Sequence, residues 1–250
     1  MAIKIEALTD LGKRKTNQDS FLVMNFRSGD SECIVAGVAD GVGSFKDSEY
    51  ASKFLTTRLQ KWFNDFGEGA FKGSFEGIEH AVYNAILNIH DEMRYLEMAK
   101  GMEFGTTLTL LIVIENSYMV FQVGDSRCYS MCDGIVRMIT RDQTVAEKEK
   151  HKAGNKGEML PGADEETKDS TILQCIGKGT MQPDVYSGVL SPGFKLLVNT
   201  DGLTNNIHNS EIFEHLSQTQ TTKHKLEDLI ATARSKGEKD NITAVLIENI

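Results

Sequence analysis

Four apolar segments follow one another between Thr106 and Thr140 with only short turns between them. Asn116-Ser117 joins the first two, and Asp133-Gly134, a dipeptide typical of tight hairpins, joins the last two. Strands that follow one another so closely pair antiparallel, whereas a parallel sheet needs a helix between successive strands. The run therefore predicts antiparallel sheets and disfavours a parallel α/β fold.

Two segments upstream of this run have apolar residues at helical spacing. In both, the apolar residues recur every three or four positions and would form one face of an amphipathic helix. Such helices need a sheet to cover, so the chain predicts a layered α+β fold with two antiparallel sheets packed together and helices outside. The two faces are Ala51, Phe54, Leu55, Leu59, Trp62 and Phe63, and Ile78, Val82, Ile86, Ile89, Met93 and Leu96.

The remaining strands are predicted from shorter apolar or alternating stretches. Glu147–Glu166 is polar and charged and is left open between a helix and an irregular excursion. The predicted strands are Lys4–Leu8, Phe21–Asn25, Cys33–Ala39, Ser170–Ile176, Asp184–Leu190, Phe194–Thr200 and Asn241–Glu248.

Composition limits the organisation and the partners of the chain. With 250 residues, only 3 prolines and no low-complexity stretch, residues 1–250 are predicted to form a single domain. The net charge of −9 disfavours nonspecific nucleic-acid binding. The N-terminal residues lack a signal-peptide core, and the strongly apolar stretch Leu110–Ile114 is too short to span a membrane. We therefore expect a cytoplasmic protein without a membrane or nucleic-acid partner.

The cysteines and histidines show no metal-binding spacing. No CxxC pair occurs, so reduced core thiols are favoured over a disulfide or a zinc site. No HExxH-like pair occurs either. The residues concerned are Cys33, Cys128, Cys132 and Cys175, and His80, His90, His151, His208, His215 and His224.

Five aspartates lie at the ends of predicted strands, where rigid elements can direct several side chains towards one point. Pattern alone leaves two readings open for each of them, because aspartate next to glycine is also a common turn residue. The five are Asp40, Asp125 and Asp201, which follow strands, and Asp19 and Asp240, which precede them.

Six short blocks, in a fixed order from Arg14 to Thr243, resemble the PP2C-type metal-dependent protein serine/threonine phosphatases of bacterial type. The resemblance implies a four-layer α-β-β-α sandwich, with two packed antiparallel sheets flanked by helices and a metal centre at one end. The blocks are RKTNQD (14–19), ADGVGS (39–44), FGTTL (104–108), VGDSR (123–127), TDGLT (200–204) and KDNIT (239–243).

The resemblance also implies a set of metal ligands. Asp40 would bridge two divalent cations, and the main-chain carbonyl of Gly41 would bind one of them. Asp201 and Asp240 would complete the two sites, and Asp19 would bind through metal-held water. Oxygen ligands of this kind select Mg²⁺ or Mn²⁺ over zinc.

Further implications concern a third ion and the substrate. Asp125 would bind a third, weaker cation, and Arg14 would hold the substrate phosphate as a catalytic and substrate-binding residue together with catalytic Asp40. A hydroxide bridging the two cations would attack phosphoserine or phosphothreonine without a phospho-enzyme. The substrates would be phosphoproteins that a serine/threonine kinase modifies.

Two other functions on the same fold remain open, namely a pseudophosphatase that only binds and a phosphatase of small molecules. The sequence departs from the family pattern in a few places. Gln18 stands where glutamate is common, Val42 where animal members often have histidine, and Gln143 where histidine is common. The segment at about 145–170, which corresponds to the family's flap, matches poorly, so substrate choice is the least constrained feature.

Overall fold

Antiparallel pairing joins all ten strands in the part of the chain that the structure describes. The structure, a computed structural model, describes residues 3–28, 31–67, 69, 71–152 and 171–250. The strands are β1 (Ile3–Asp10), β2 (Asp19–Ser28), β3 (Ser31–Asp40), β4 (Leu108–Ile114), β5 (Ser117–Val123), β6 (Arg127–Cys132), β7 (Ile135–Met138), β8 (Asp184–Val189), β9 (Lys195–Asn199) and β10 (Ile242–Asn249).

Helices lie between the strands at three places along the chain. A π-helix, Phe63–Gly67, extends the first α-helix. The α-helices in the described residues are α1 (Ser48–Trp62), α2 (Phe75–Lys100), α3 (Val145–Lys152), α4 (Asp201–Thr204), α5 (Asn209–Ser217) and α6 (Thr222–Ser235).

Two five-stranded sheets form the centre of the molecule, in the orders β1-β10-β9-β6-β7 and β2-β3-β4-β5-β8. Side chains alternate between the two faces of a strand, so each sheet contributes one face to the interior between them. Ile34, Val113, Val198 and Val245 pack together there. The outer face of the β2 sheet packs against α1 and α2, and the outer face of the β1 sheet packs against α4, α5 and α6. The four-layer sandwich is confirmed.

The two predicted hairpins form, one of them with a shifted turn. Asp133 and Gly134 connect β6 to β7 with φ of 51° and 75°, the left-handed conformation that a two-residue hairpin requires. Between β4 and β5 the turn lies at Glu115-Asn116, one residue before the predicted position, and Glu115 has φ 53°. The pairing register of β4 and β5 explains the shifted turn, because Ser117 pairs with Ile114 and is therefore the first residue of β5.

The strand predicted at Ser170–Ile176 is wrong for the described residues of that segment. Ile172, Cys175 and Ile176 form only isolated bridges with residues of three different segments. The apolar pattern reflects burial of Cys175 and Ile176 in the interior and not continuous pairing. Of the predicted flap, residues 145–152 form α3, and residues 153–170 lie outside the described residues.

All four cysteines are free, and three of them are buried. Burial raises the pKa of the Cys33 thiol to about 12 and that of Cys175 to about 11, which keeps both thiols protonated at neutral pH. Among the described residues, no helix is both long enough and apolar enough to cross a membrane.

A buried ion pair links α6 to β10, an inner strand of the β1 sheet. Lys225 Nζ lies 2.6 Å from Glu248 Oε1, and the two residues are 5% and 1% exposed. Lys195 Nζ is the second cation near this carboxylate, at 3.4 Å. Breaking a buried pair leaves a charge without its partner in a medium of low dielectric constant, which costs more than an exposed pair contributes.

We predict that Lys225→Met lowers the free energy of unfolding by about 3 kcal/mol, because Glu248 loses its nearer cation and keeps the longer contact to Lys195 and a hydrogen bond from the Thr222 side chain. Urea denaturation followed by circular dichroism measures this. Lys223→Met is the matched control: it removes an exposed pair to Glu227, with the atoms 3.7 Å apart, and should cost less than about 1 kcal/mol. Equal losses in the two variants would contradict the assignment.

Candidate active site

One end of the sandwich contains a cavity of about 490 Å³ that is lined by acidic side chains. Four of the five aspartates singled out in the sequence line it: Asp40, Asp125, Asp201 and Asp240. The fifth, Asp19, is buried directly beside them, because it pairs in register with Asp40 across β2 and β3. The structure therefore brings together residues that are up to 221 positions apart in the chain.

The strand ends explain this convergence. Asp40 is the last residue of β3 and Asp19 is the first residue of β2, so neighbouring strands end side by side. Asp201 begins α4 just after β9, and Asp240 lies just before β10. β9 and β10 are neighbouring strands of the other sheet. Asp125 lies in the short connection through which the chain passes from β5 in one sheet to β6 in the other.

A threonine links the two sheets by a hydrogen bond to one of the cluster aspartates. Thr200, at the end of β9, donates its hydroxyl to Asp19 Oδ2 at 2.9 Å. Its own main-chain N–H bonds to the carbonyl of Thr243 on β10. A buried carboxylate of one sheet is thus positioned by the other sheet.

Burial of the carboxylates, together with their crowding, raises their pKa values. Loss of hydration is the main cause, and it raises the pKa of both Asp19 and Asp125 to about 7. Loss of hydration also raises the pKa of Asp40 and Asp201, and the neighbouring aspartates add to each of these shifts. Four carboxyl groups that repel one another in this way form a site with a strong preference for positive charge.

Two buried oxygen atoms in the cluster, Asp19 Oδ1 and Asp201 Oδ1, have no hydrogen-bond partner among the described residues. A buried carboxylate oxygen without a partner costs free energy unless a donor or a cation satisfies it. The described residues that line the cavity include four carboxylates and neither histidine nor cysteine, a set of oxygen ligands that suits Mg²⁺ or Mn²⁺. These atoms therefore fit the divalent cations that the sequence resemblance implies.

An ion pair joins one of the five aspartates to the arginine that lines the cavity. Arg14 Nη2 lies 2.7 Å from Asp240 Oδ2, and this contact raises the pKa of the guanidinium further. Asp240 is still close enough to Asp201 for its charge to raise the pKa of that carboxyl. Within the described residues, no group of three His, Cys, Asp or Glu side chains is arranged as it stands to hold an ion.

The main chain of Asp40 is held by residues whose importance the sequence did not reveal. Its N–H donates to Thr107 Oγ1 at 3.0 Å, and its carbonyl accepts from Thr106 Oγ1 at 2.9 Å and from the Thr107 N–H at 2.8 Å. Thr107 in turn shares a hydrogen bond of 2.8 Å with the hydroxyl of Ser126, beside Asp125. The blocks FGTTL and VGDSR therefore support the aspartates and also contribute one of them.

Asn241 is a second supporting residue that sequence reasoning missed. Its side-chain oxygen accepts from the Gln18 N–H at 2.9 Å, and its amide group donates to the carbonyls of Leu11 and Thr16. It therefore fixes the loop that carries Arg14 next to Asp240. A buried asparagine beside an aspartate in KDN would have been the only local signal.

Glycine is required for close approach of main chains at two positions that directly follow a cluster aspartate. A Cβ atom on Gly41 would lie 2.3 Å from the carbonyl oxygen of Ser48, and one on Gly202 would lie 2.0 Å from that of Asn241. Gly41 follows Asp40 and Gly202 follows Asp201, so both contacts set the position of a cluster aspartate. The Asp-Gly pairs at these sites differ in this respect from Asp133-Gly134, where nothing lies within 4 Å of the added atom.

Comparison with known proteins gives a consistent result. Residues 10–246 match the model of the family described as protein phosphatase 2C. A putative protein phosphatase 2C-type protein of Streptococcus pyogenes is 30% identical over 253 residues, covering 99% of this chain and 98% of the relative. Protein phosphatase PhpP of Streptococcus pneumoniae is 30% identical over 247 residues, covering 98% and 97%.

Solved structures show the same similarity in three dimensions. A serine/threonine phosphatase of S. agalactiae superposes with a TM-score of 0.83 at 27% identity, covering 98% of this chain and 99% of the other. The serine/threonine phosphatase Stp1 of Staphylococcus aureus gives a TM-score of 0.84 at 25% identity, covering 100% and 96%.

We predict that Gly41→Ala lowers the free energy of unfolding by about 2–3 kcal/mol, because the added methyl group would overlap the Ser48 carbonyl and force the two main chains apart. Thermal and urea denaturation measure the loss. Gly43→Ala in the same loop is the control: its Cβ would lie 3.5 Å from Gln18 Oε1, an ordinary contact, so the change should stay within about 0.5 kcal/mol. A Gly41→Ala variant as stable as Gly43→Ala would show that the close approach is not required.

Proposed function

The chain belongs to the protein phosphatase 2C family, and we propose that it hydrolyses phosphoserine and phosphothreonine in proteins with two divalent cations held by its aspartate cluster. The observation that carries this proposal is the convergence of five aspartates at one end of the sandwich, where two buried carboxylate oxygen atoms have no partner in the part of the chain that the structure describes. A protein without a cation at this position would gain stability from replacing such crowded carboxylates. The relatives' names, which describe serine/threonine phosphatases, support the substrate class.

The ligands that we propose are the residues at the strand ends. Asp40 would contact both cations, the carbonyl of Gly41 would contact one, and Asp201 and Asp240 would complete the pair. Asp19, which Thr200 holds in place by a hydrogen bond of 2.9 Å, would bind through water. Mg²⁺ and Mn²⁺ are the ions that such oxygen donors favour.

A third cation is proposed for Asp125. This residue lines the cavity next to Asp201, whose charge contributes to its raised pKa. Because the two carboxylates repel each other, a cation near both would relieve that repulsion. The affinity would be lower than at the first two positions, since fewer carboxylates are proposed to bind this ion.

When bound, the cations lower the pKa of a water molecule between them and neutralise part of the phosphate charge. The residues of the chain bind and orient the substrate. Arg14 is half exposed at the mouth of the cavity, and its planar guanidinium can bind two phosphoryl oxygens at once. Val42, which also lines the cavity, has no titratable group, so the leaving serine or threonine oxygen takes its proton from water.

The biological setting follows from the same proposal. Phosphoproteins are the substrates, and the opposing enzyme is a serine/threonine kinase that phosphorylates them. The four free thiols are consistent with a reducing compartment, so we propose that the protein acts in the cytoplasm.

Asp40→Asn and Asp201→Asn should each reduce turnover of a phosphothreonine peptide about a thousandfold, equivalent to roughly 4 kcal/mol, because each removes a proposed cation ligand. The assay compares Mn²⁺, Mg²⁺ and a chelator, and chelation of the wild-type protein should abolish turnover. Asp133→Asn, the same chemical change at the β6–β7 hairpin, is the control and should retain full activity.

The thermal midpoint with and without Mn²⁺ gives an independent measure of binding, since Mn²⁺ should raise it in the wild-type protein and in Asp133→Asn but not in Asp40→Asn or Asp201→Asn. Turnover that survives chelation would refute the metal-dependent mechanism. Stabilisation by Mn²⁺ without any turnover would indicate a pseudophosphatase. Hydrolysis of free phosphometabolites in preference to phosphopeptides would indicate a small-molecule phosphatase.

Arg14→Ala should raise the KM for the phosphopeptide about tenfold to a hundredfold, because a charge-assisted bidentate contact to phosphate is lost. Its effect on kcat should be smaller if the contact exists equally in the bound substrate and the transition state. Steady-state kinetics separate the two constants. Lys13→Ala, in the neighbouring position, is the control, and a KM change as large as that of Arg14→Ala would show a general charge effect.

A further inference from the structure

Gln143 lies at a junction of three segments beside the cavity. It is 8% exposed, and its side-chain amide makes four hydrogen bonds. Oε1 accepts from the Gly124 N–H at 2.7 Å and from Gln174 Nε2 at 2.8 Å. Nε2 donates to Asp184 Oδ2 at 2.8 Å and to the Gln122 carbonyl at 3.3 Å. The amide therefore uses its whole capacity of two accepted and two donated bonds.

The main chain of Gln143 holds the turn that carries Asp125. Its N–H donates to the Gly124 carbonyl at 3.0 Å, so both polar main-chain groups of Gly124 bond to this one residue. Gly124 has φ 100°, and a Cβ there would lie 2.6 Å from Thr107 Cγ2. The turn thus has a conformation open only to glycine, and Gln143 fixes it one residue before Asp125.

Gln143 also forms hydrogen bonds to the segment that contributes Thr171 and Ile172 to the cavity wall. Its carbonyl accepts from the Leu173 N–H at 2.7 Å, and its side chain accepts from Gln174. Gln174 is fixed in turn by two hydrogen bonds to the main chain of Gln182. Thr171 and Ile172, which precede Leu173, line the cavity together with Asp125.

Glutamine suits this junction better than the histidine that the family pattern favours. A neutral imidazole has one donor and one acceptor, so it could satisfy two of the four partners and would leave the others unpaired. Unpaired groups that are buried cost free energy, and the segments they belong to would lose their common point of attachment.

We propose that Gln143 is a positioning residue that fixes the Asp125 turn relative to the Thr171–Ile172 wall. This inference rests on the proposed function, because it takes Asp125 as a cation ligand and the wall as part of the substrate site. It acts through Gly124 and Gln174 and touches neither cation nor substrate. Loss of its amide contacts lets the two sides of the cavity move independently.

The test uses three variants of the full-length protein. Gln143→Met removes all four side-chain hydrogen bonds at similar volume. Gln143→Glu keeps the acceptor that faces Gly124 and places a carboxylate against Asp184. The double variant Gln143→Glu with Asp184→Asn restores the hydrogen bond between positions 143 and 184, with the asparagine amide now donating to the glutamate carboxylate. Asp184→Asn alone is the control.

The first measurement is amide hydrogen exchange of Gly124 in chelated protein, which needs no catalytic activity. Exchange should be at least about tenfold faster in Gln143→Met than in the wild-type protein, because the acceptor is gone. In Gln143→Glu the exchange rate of the Gly124 amide should rise less than in Gln143→Met. In the double variant it should return to within about threefold of the wild-type rate.

The second measurement is the Mn²⁺ concentration that gives half of the thermal stabilisation, followed by the kinetics of phosphopeptide hydrolysis. Gln143→Met should raise the Mn²⁺ requirement and the KM about fivefold to tenfold, and the double variant should recover both. A variant that is less stable but keeps the wild-type Gly124 exchange, Mn²⁺ requirement and KM would overturn the proposal. If the wild-type protein proves inactive, the proposed function fails, while Gly124 exchange and the Mn²⁺ requirement still decide the role of Gln143.

Discussion

The mutual repulsion of buried carboxylates is the constraint on which the site depends. Asp19, Asp40, Asp125 and Asp201 lose hydration and lie close to one another, which raises the pKa of each. A flexible chain would move such groups apart and into water. Here they are attached to strand ends whose register is fixed by ladders of main-chain hydrogen bonds, so the free energy of the whole sandwich opposes their separation. The unfavourable electrostatics are concentrated where they can be relieved by binding.

Arg14 neutralises part of the negative charge of the aspartate cluster. Its guanidinium forms an ion pair with the Asp240 carboxylate, and its side chain remains half exposed. The guanidinium neutralises one acid of the cluster and also lines the cavity in which we propose that a phosphate binds. A residue with both contacts can change partners as the charge of the site changes, at little cost to the fold, because an exposed ion pair contributes little to stability.

The sequence predicts the architecture well and the supporting contacts poorly. Hairpins, amphipathic helices and buried strands depend on local periodicity, which is why the two sheets and the helix layers could be predicted from the residues. The failures have a common cause. Ser170–Ile176 has the composition of a strand, but its partners belong to separate segments, so only isolated bridges form.

The role of Thr107 under Asp40, the close approach of Gly202 to Asn241 and the four contacts of Gln143 likewise join residues far apart in the chain. No local sequence pattern indicates contacts between residues so far apart in the chain. The six blocks indicated where chemistry lies, because their order matches a known family. Which residue supports which aspartate became visible only with the fold.

The hydrogen bond from Thr200 to Asp19 has a mechanical consequence. It crosses the interface between the layers, from the end of β9 to the start of β2. Packed sheets can shear by small sliding displacements, and apolar side chains alone resist such sliding only weakly in any one direction. A directional bond at the end of the interface opposes such sliding, so it favours a fixed distance between the strand ends that carry Asp19 and Asp201. Under the proposed function, adaptation to differently shaped substrates would then fall to the surrounding loops.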